Sequence, residues 1–127
     1  LLLIGRRHVR SNNSWMHNAH RLIKGKPRHH LHMHCEDMQA RNLAENSKVR
    51  ISSQAGDAVV EVVSSDRLLP GTVSLPHGFG QNMPGVELRQ AVELAGENFN
   101  ILVDDKEIDS VSGSSVMTAI PVSVQSA

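Results

Sequence analysis

The sequence has few aromatic residues and almost no cysteine. With one Trp, two Phe and no Tyr in 127 residues, it lacks the stacking platforms of a single-stranded nucleic-acid binder, and no nucleic-acid partner is expected. Cys35 stands alone, which excludes an internal disulfide and a four-cysteine metal site and leaves an aliphatic core to hold the fold. Long apolar runs are missing too. Leu1 to Ile4 gives way at once to Gly5-Arg6-Arg7, well short of a signal core or of the roughly 20 apolar residues of a membrane helix. The chain therefore reads as one soluble domain, 1–127, cut from a longer protein just ahead of a strand, with no membrane contact of its own. A cytoplasmic location is favoured, and the compartment of the parent is otherwise open. The length suits a single core rather than a multidomain catalyst.

Acidic residues are absent from positions 1–34, which carry Arg6, Arg7, Arg10, Arg21, Lys24, Lys26 and Arg28; every Asp and Glu lies from Glu36 onward, so a formal net charge of zero hides a basic first quarter. Such a segment suits an anionic group such as a phosphate, or is a solvated basic face balanced by acidic loops elsewhere.

Periodicity supplies the elements. Leu1 to Ile4 is a buried strand that opens into a polar loop, and Ser14 is placed to cap a short helix over Trp15 to Ile23, stopped by Gly25 and Pro27. His30 to His34 alternates as a strand with Leu31 and Met33 inward, and a helix begins with Glu36 and Asp37 in its first turn. Val49 and Ile51, the Ala55-Gly56-Asp57 turn and Ala58 to Val63 form a hairpin. Thr72 to Leu75 is a strand ended by the turn-forming Pro76-His77-Gly78-Phe79-Gly80. Residues 81–97 fit either a short amphipathic helix or a covering loop. Val116, Ile120, Val122 and Val124 form a last strand interrupted near Pro121, where an edge or bulge tolerates the missing donor. Short strands, short helices and many turns indicate a mainly β barrel.

Few residues carry reactive chemistry. His30, His32 and His34 share one side of a strand, but the roughly 6.5–7 Å same-face spacing is a poor start for a tetrahedral site. Cys35 has no activating partner motif and reads as a small half-buried residue. Asp104 and Asp105 read as solvated turn carboxylates. No nucleophile elbow, dinucleotide fingerprint or Walker loop occurs. The loop from Arg6-Arg7 to Trp15 instead offers guanidiniums, Ser and Asn side chains and free backbone N–H groups, a set suited to a pyrophosphate.

Several blocks, in order, resemble one family. Leu3-Ile4-Gly5-Arg6-Arg7, Ser11-Asn12-Asn13-Ser14-Trp15-Met16-His17-Asn18, Leu31-His32-Met33-His34-Cys35-Glu36-Asp37, Pro70 to Gly80, and Asn98 to Asp105 followed by Asp109 and Ser112-Gly113 resemble the molybdopterin dinucleotide-binding domain that ends enzymes of the dimethyl sulfoxide reductase family. The resemblance implies a six-stranded double-psi β-barrel with short peripheral helices. Its implied cofactor is molybdopterin guanine dinucleotide, carrying molybdenum or tungsten and held mainly by the preceding domains of the same polypeptide. The parent would be a molybdenum or tungsten oxidoreductase, formate dehydrogenase-like or nitrate reductase-like, and this domain would not be catalytic by itself. Carried over by position, Gly5, Arg6, Arg7, Ser11, Asn13 and Ser14 are expected at the phosphate or pterin, with Trp15 packed beneath that loop. His77 and Gly78 form the turn approaching the pterin, Asn98 is the pterin-contacting amide and Asn100 the second choice. No catalytic or metal-ligating residue is implied in this chain. It departs from the family at Cys35, where Pro is common, and at Ile101-Leu102-Val103, where a hydroxyl is usual. A double-psi barrel serving as a protein-interaction module is the alternative; it would not need the basic loop and Asn98 to converge. A self-standing barrel enzyme such as a decarboxylase would need a nucleophile that the sequence lacks.

Overall fold

The computed structural model describes residues 1–127 as seven strands with short helices between them. The strands are β1 (Leu2–Arg6), β2 (Leu31–Met33), β3 (Lys48–Ser52), β4 (Asp57–Ser64), β5 (Thr72–Pro76), β6 (Thr118–Pro121) and β7 (Ser123–Ser126). Between them lie α1 (His20–Ile23), α2 (Cys35–Gln39), α3 (Arg89–Glu93) and a 3-10 turn over Phe99–Leu102. The sheet order is β6-β1-β5-β2-β4-β3-β7, mixed in sense: β1 with β5 and β2 with β4 run parallel, and the remaining pairs are antiparallel. The two ends of this curled sheet, β6 and β7, are consecutive pieces of chain separated by Val122 alone. The last strand expected from the sequence is thus two strands with different neighbours, making seven where six were expected.

Alternation directs the packing. In β3, Val49 and Ile51 are buried, and in β4 Ala58, Val60 and Val62 are, facing the core while their neighbours face outward. β5 lies between two strands and is buried at Val73, Ser74, Leu75 and Pro76, as suits a central strand covered on both faces. Leu3, Leu31, Met33, Phe99 and Leu102 complete an aliphatic core whose largest fully buried side chain is Phe99. Where β1 meets β6 the register slips between Leu3 and Ile4, with Ala119 at φ 62° as the extra residue of a bulge.

The helix expected over Trp15 to Ile23 is reduced to His20–Ile23. Ser14 does not cap it; the N-cap is Ala19, with no side-chain bond. Residues 8–18 form successive turns instead, with Asn12 and Asn13 at φ 42° and 65°, a left-handed conformation that asparagine tolerates better than most residues. Trp15 is consequently 83% exposed rather than packed beneath the loop. The helix after β2 starts without proline because the His34 ring caps it, Nδ1 accepting from the Glu36 N–H at 3.3 Å. Residues 81–97 hold one short helix, α3, inside a longer cover. No helix is long and apolar enough to cross a membrane.

Candidate functional site

Parallel pairing of β1 with β5, in register from Leu2↔Thr72 to Arg6↔Pro76, brings the C-terminal ends of both strands to the same place. The chain leaves them side by side, the His77 N–H donating to the Arg6 carbonyl at 2.9 Å. The basic loop and the His77–Gly80 turn therefore emerge together, at the strand ends where parallel sheets commonly place ligands.

The loops pack closely because two glycines let them. At Gly78, φ 94°, a Cβ would collide with the backbone carbonyl of Asn13, and at Gly80, φ 101°, it would lie 2.7 Å from Asn98 Cβ. The first loop, the turn and the Asn98 segment are thus stacked in that order at one end of the molecule. Beside them lies a cavity of about 560 Å³ lined by Arg7, Asn13, His77, Asn100, Asp105 and Ser115, with Val103 and Met117 as its apolar part. Arg7 donates to Asn13 Oδ1 and lies 3.3 Å from His77 Nδ1. Burial first, and then the Arg7 charge, hold the His77 imidazole below its ordinary proton affinity, while the neighbouring Asn100 amide partly offsets them.

The expected site residues separate into two groups. Arg7, Asn13, His77 and Asn100 share the cavity, and Gly78 seats the loop beside it. Gly5 lies at the strand end, its α-carbon facing the Phe99 ring, with room for a Cβ 3.4 Å from Cζ. Arg6 points the other way. Its half-buried guanidinium donates to the Ser74 carbonyl and hydroxyl, at 3.0 and 3.2 Å, and to the His30 carbonyl at 3.0 Å, tying β1 to β5 and to the start of β2. Ser11 is buried and donates to the His8 carbonyl, while Ser14 and Trp15 lie exposed on the outside of the loop. Asn98 caps the 3-10 turn, its Oδ1 accepting from the Asn100 N–H at 3.0 Å, and Asn100 is the amide that reaches the cavity.

Asp105, read from the sequence as a solvated turn carboxylate, lines the cavity, as do Ser115 and Met117, which were not singled out; nothing in their spacing separates the three from ordinary turn residues. A second cavity, of about 520 Å³, lies under the 79–97 segment. In it Phe79 is flanked by the rings of His17 and His29, at 4.5 and 4.7 Å between centroids. His17 Nδ1 and Gln81 Oε1 are both buried without a partner at hydrogen-bonding geometry, although Gln81 lies near enough to raise the proton affinity of His17. His30, His32 and His34 do not come together as a metal-holding group.

A mainly β domain with a polar cavity built from loops at adjoining parallel strand ends is a ligand-holding module. Residues 1–120 match the family described as "Molydopterin dinucleotide binding domain", and the chain belongs to that family, as the sequence blocks had indicated. Among solved structures it is similar to acetylene hydratase from Pelobacter acetylenicus, with 17% identity and a TM-score of 0.79 over 100% of this chain and 18% of that one. At that identity the likeness is one of fold, and this chain spans less than a fifth of the length of that protein. No curated protein matches it.

Proposed function

We propose that this chain is the molybdopterin dinucleotide-holding domain of a larger molybdenum or tungsten oxidoreductase, and that the cavity beside the β1 and β5 ends is its contact with the cofactor. The observation that carries the reading is the convergence of Arg7, Asn13, His77 and Asn100, from three separate segments, on one cavity. The donor set fits the group. Arginine, amide and imidazole N–H donors suit the diphosphate oxygens and carbonyl of a pyranopterin dinucleotide, and Gly78 keeps the backbone thin where the loops meet. When bound, the cofactor supplies the redox chemistry through its metal; the residues here hold and orient it. The guanine form of the dinucleotide, and a formate dehydrogenase-like or nitrate reductase-like parent, are the finer parts of the same reading.

Closure of the sheet into a double-psi barrel belongs to it as well. The joined ends β6 and β7 and the two parallel pairs support that topology. Gly5, Arg6, Ser11, Ser14, Trp15 and Asn98 then act mainly by shaping and supporting the loops, with Arg7, Asn13, His77 and Asn100 touching the ligand.

The test is to replace Arg7, His77 and Asn100 together in the full-length polypeptide and measure molybdenum and oxidised pterin per chain. Loss of most of both, with the chain still folded, is expected. Wild-type content of metal and pterin would refute the site.

A further inference from the structure

Asp104 and Asp105 look alike in the sequence and differ in the structure. Asp104 closes the turn, its Oδ1 accepting from the Lys106 N–H at 2.9 Å. Asp105 makes no hydrogen bond or ion pair within the protein and lines the cavity with Arg7, Asn13, His77 and Asn100.

The directions of the hydrogen bonds fix what Arg7, Asn13 and His77 present. Arginine can only donate, so the oxygen of Asn13 must face Arg7, and the Asn13 NH2 is left for a ligand. For the same reason His77 Nδ1 must accept from Arg7, which puts the ring proton on Nε2. The Asn100 side chain lines the cavity with that ring and adds a further amide, whose NH2 can be turned to a ligand. One side of the cavity is thus a wall of N–H donors, and the carboxylate of Asp105 is the strong acceptor among the lining side chains.

A ligand matching this arrangement carries a carbonyl for the donors and adjacent N–H and NH2 groups for the carboxylate. The 2-amino-4-oxopyrimidine ring, common to pterin and guanine, has that edge; adenine carries an acceptor nitrogen where that ring has its N–H. We propose that Asp105 is the specificity-determining residue of the cavity, its two oxygens accepting from the N–H and NH2 of an aminopyrimidinone ring whose carbonyl meets the donor wall. The inference rests on the reading of this cavity as the cofactor site and names the part of the cofactor that it reads. A site built on paired hydrogen bonds discriminates strongly against a ring that lacks the matching group.

The experiment is an amide-shift NMR titration of the 127-residue chain, as wild type, Asp105→Asn and Asp104→Asn, with four probes at millimolar concentration: 6-hydroxymethylpterin, guanosine monophosphate, adenosine monophosphate and inorganic pyrophosphate. Circular dichroism checks that each variant is folded. In the wild type, 6-hydroxymethylpterin, guanosine monophosphate or both should shift the amides of Arg7, Asn13, Asn100 and Asp105, with adenosine monophosphate bound much more weakly. Asp105→Asn should weaken the ring probe about tenfold or more and leave pyrophosphate binding in place, because it removes one acceptor and the charge. Asp104→Asn keeps the oxygen that closes the turn and should bind as the wild type does. Which ring probe loses more affinity identifies pterin or guanine as the source of the edge. Equal ring binding by Asp105→Asn and wild type, or equal binding of adenosine and guanosine monophosphates, overturns the assignment of Asp105 while the cofactor reading survives. If no probe shifts these amides, the assignment of Asp105 falls, and the cofactor reading is decided separately by the metal and pterin content of the full-length variant.

Discussion

Arg6 and Arg7 are adjacent in sequence and opposite in use. Both were expected at the phosphate or pterin, since residue type and position alone make them equivalent. The strand settles the difference, because successive side chains leave it on opposite sides: Arg6 turns in to Ser74 and the His30 carbonyl, and Arg7 turns out to Asn13 and His77. Burial likewise lowers the proton affinity of Arg6. His29 shows the same effect more strongly: burial, only partly offset by the Glu97 carbonyl, brings its pKa down to about 4. The unfolded chain takes up that proton near pH 6.5, so between 6.5 and 4 it binds more protons than the folded chain, and stability falls as the pH falls through this window. The share of His29 is on the order of 3 kcal/mol at most. His17, His32 and His77 are displaced in the same direction, first by burial, and add to the slope with the same sign. Urea unfolding at intervals from pH 7 to 4 should show this decline, and His29→Gln, which cannot titrate, should make it shallower. An unchanged slope in the variant would show that His29 is not held neutral.

At the scale of elements, the hairpin of β3 and β4 and the strands β1, β2 and β5 were legible, because alternation of Val, Ile and Leu with polar residues is enforced by burial on one face. The segment from Trp15 was misread for a local reason. Trp15, Ala19, Leu22 and Ile23 have helical spacing, but the positive φ of Asn12 and Asn13 commits the chain ahead of them to turns, and only the last of the segment is helix. The segment that covers residues 79–97 could not be placed from sequence because its anchors are remote. Leu88, the N-cap of α3, gives no side-chain bond; Asn18, 72 residues before Gln90, supplies the cap, its Oδ1 accepting from the Gln90 and Ala91 N–H groups at 3.0 and 3.3 Å. An N-cap acceptor typically contributes about 1 kcal/mol. Asn18→Ala should therefore speed hydrogen exchange at Gln90 and Ala91 by about fivefold, while Asn18→Asp, which keeps the acceptor, should retain the protection. Equal exchange in wild type and Asn18→Ala would show that α3 is held by its packed Ala91 alone.

The property of the whole molecule that sequence could not reveal is how the final strand is used. The interruption near Pro121 was read correctly and falls at Val122, but periodicity says nothing about which neighbours the two halves choose. β6 pairs with β1 and β7 with β3, so one short stretch joins the two ends of the sheet order, and the Val122 N–H between them donates to the Leu1 carbonyl at 2.9 Å. Ile120, Val122 and Val124 enter the core from this stretch. β6 and β7 are the end strands of the sheet order, and the core depends on residues from both extremes of the chain. Removing residues 123–127 takes away Val124 and uncovers the β3 edge together, a loss comparable with a stability of roughly 5–15 kcal/mol for a domain of this kind. Val124→Ala removes only buried methyl groups, at about 1–2 kcal/mol. The point variant should therefore unfold in one cooperative urea transition at a lower midpoint, whereas the shortened chain should lose the cooperative transition or aggregate through the exposed strand. A shortened chain with the wild-type midpoint would mean that β7 adds little to the stability of the sheet, and that the walls of the cavity are held by β1 and β5 alone.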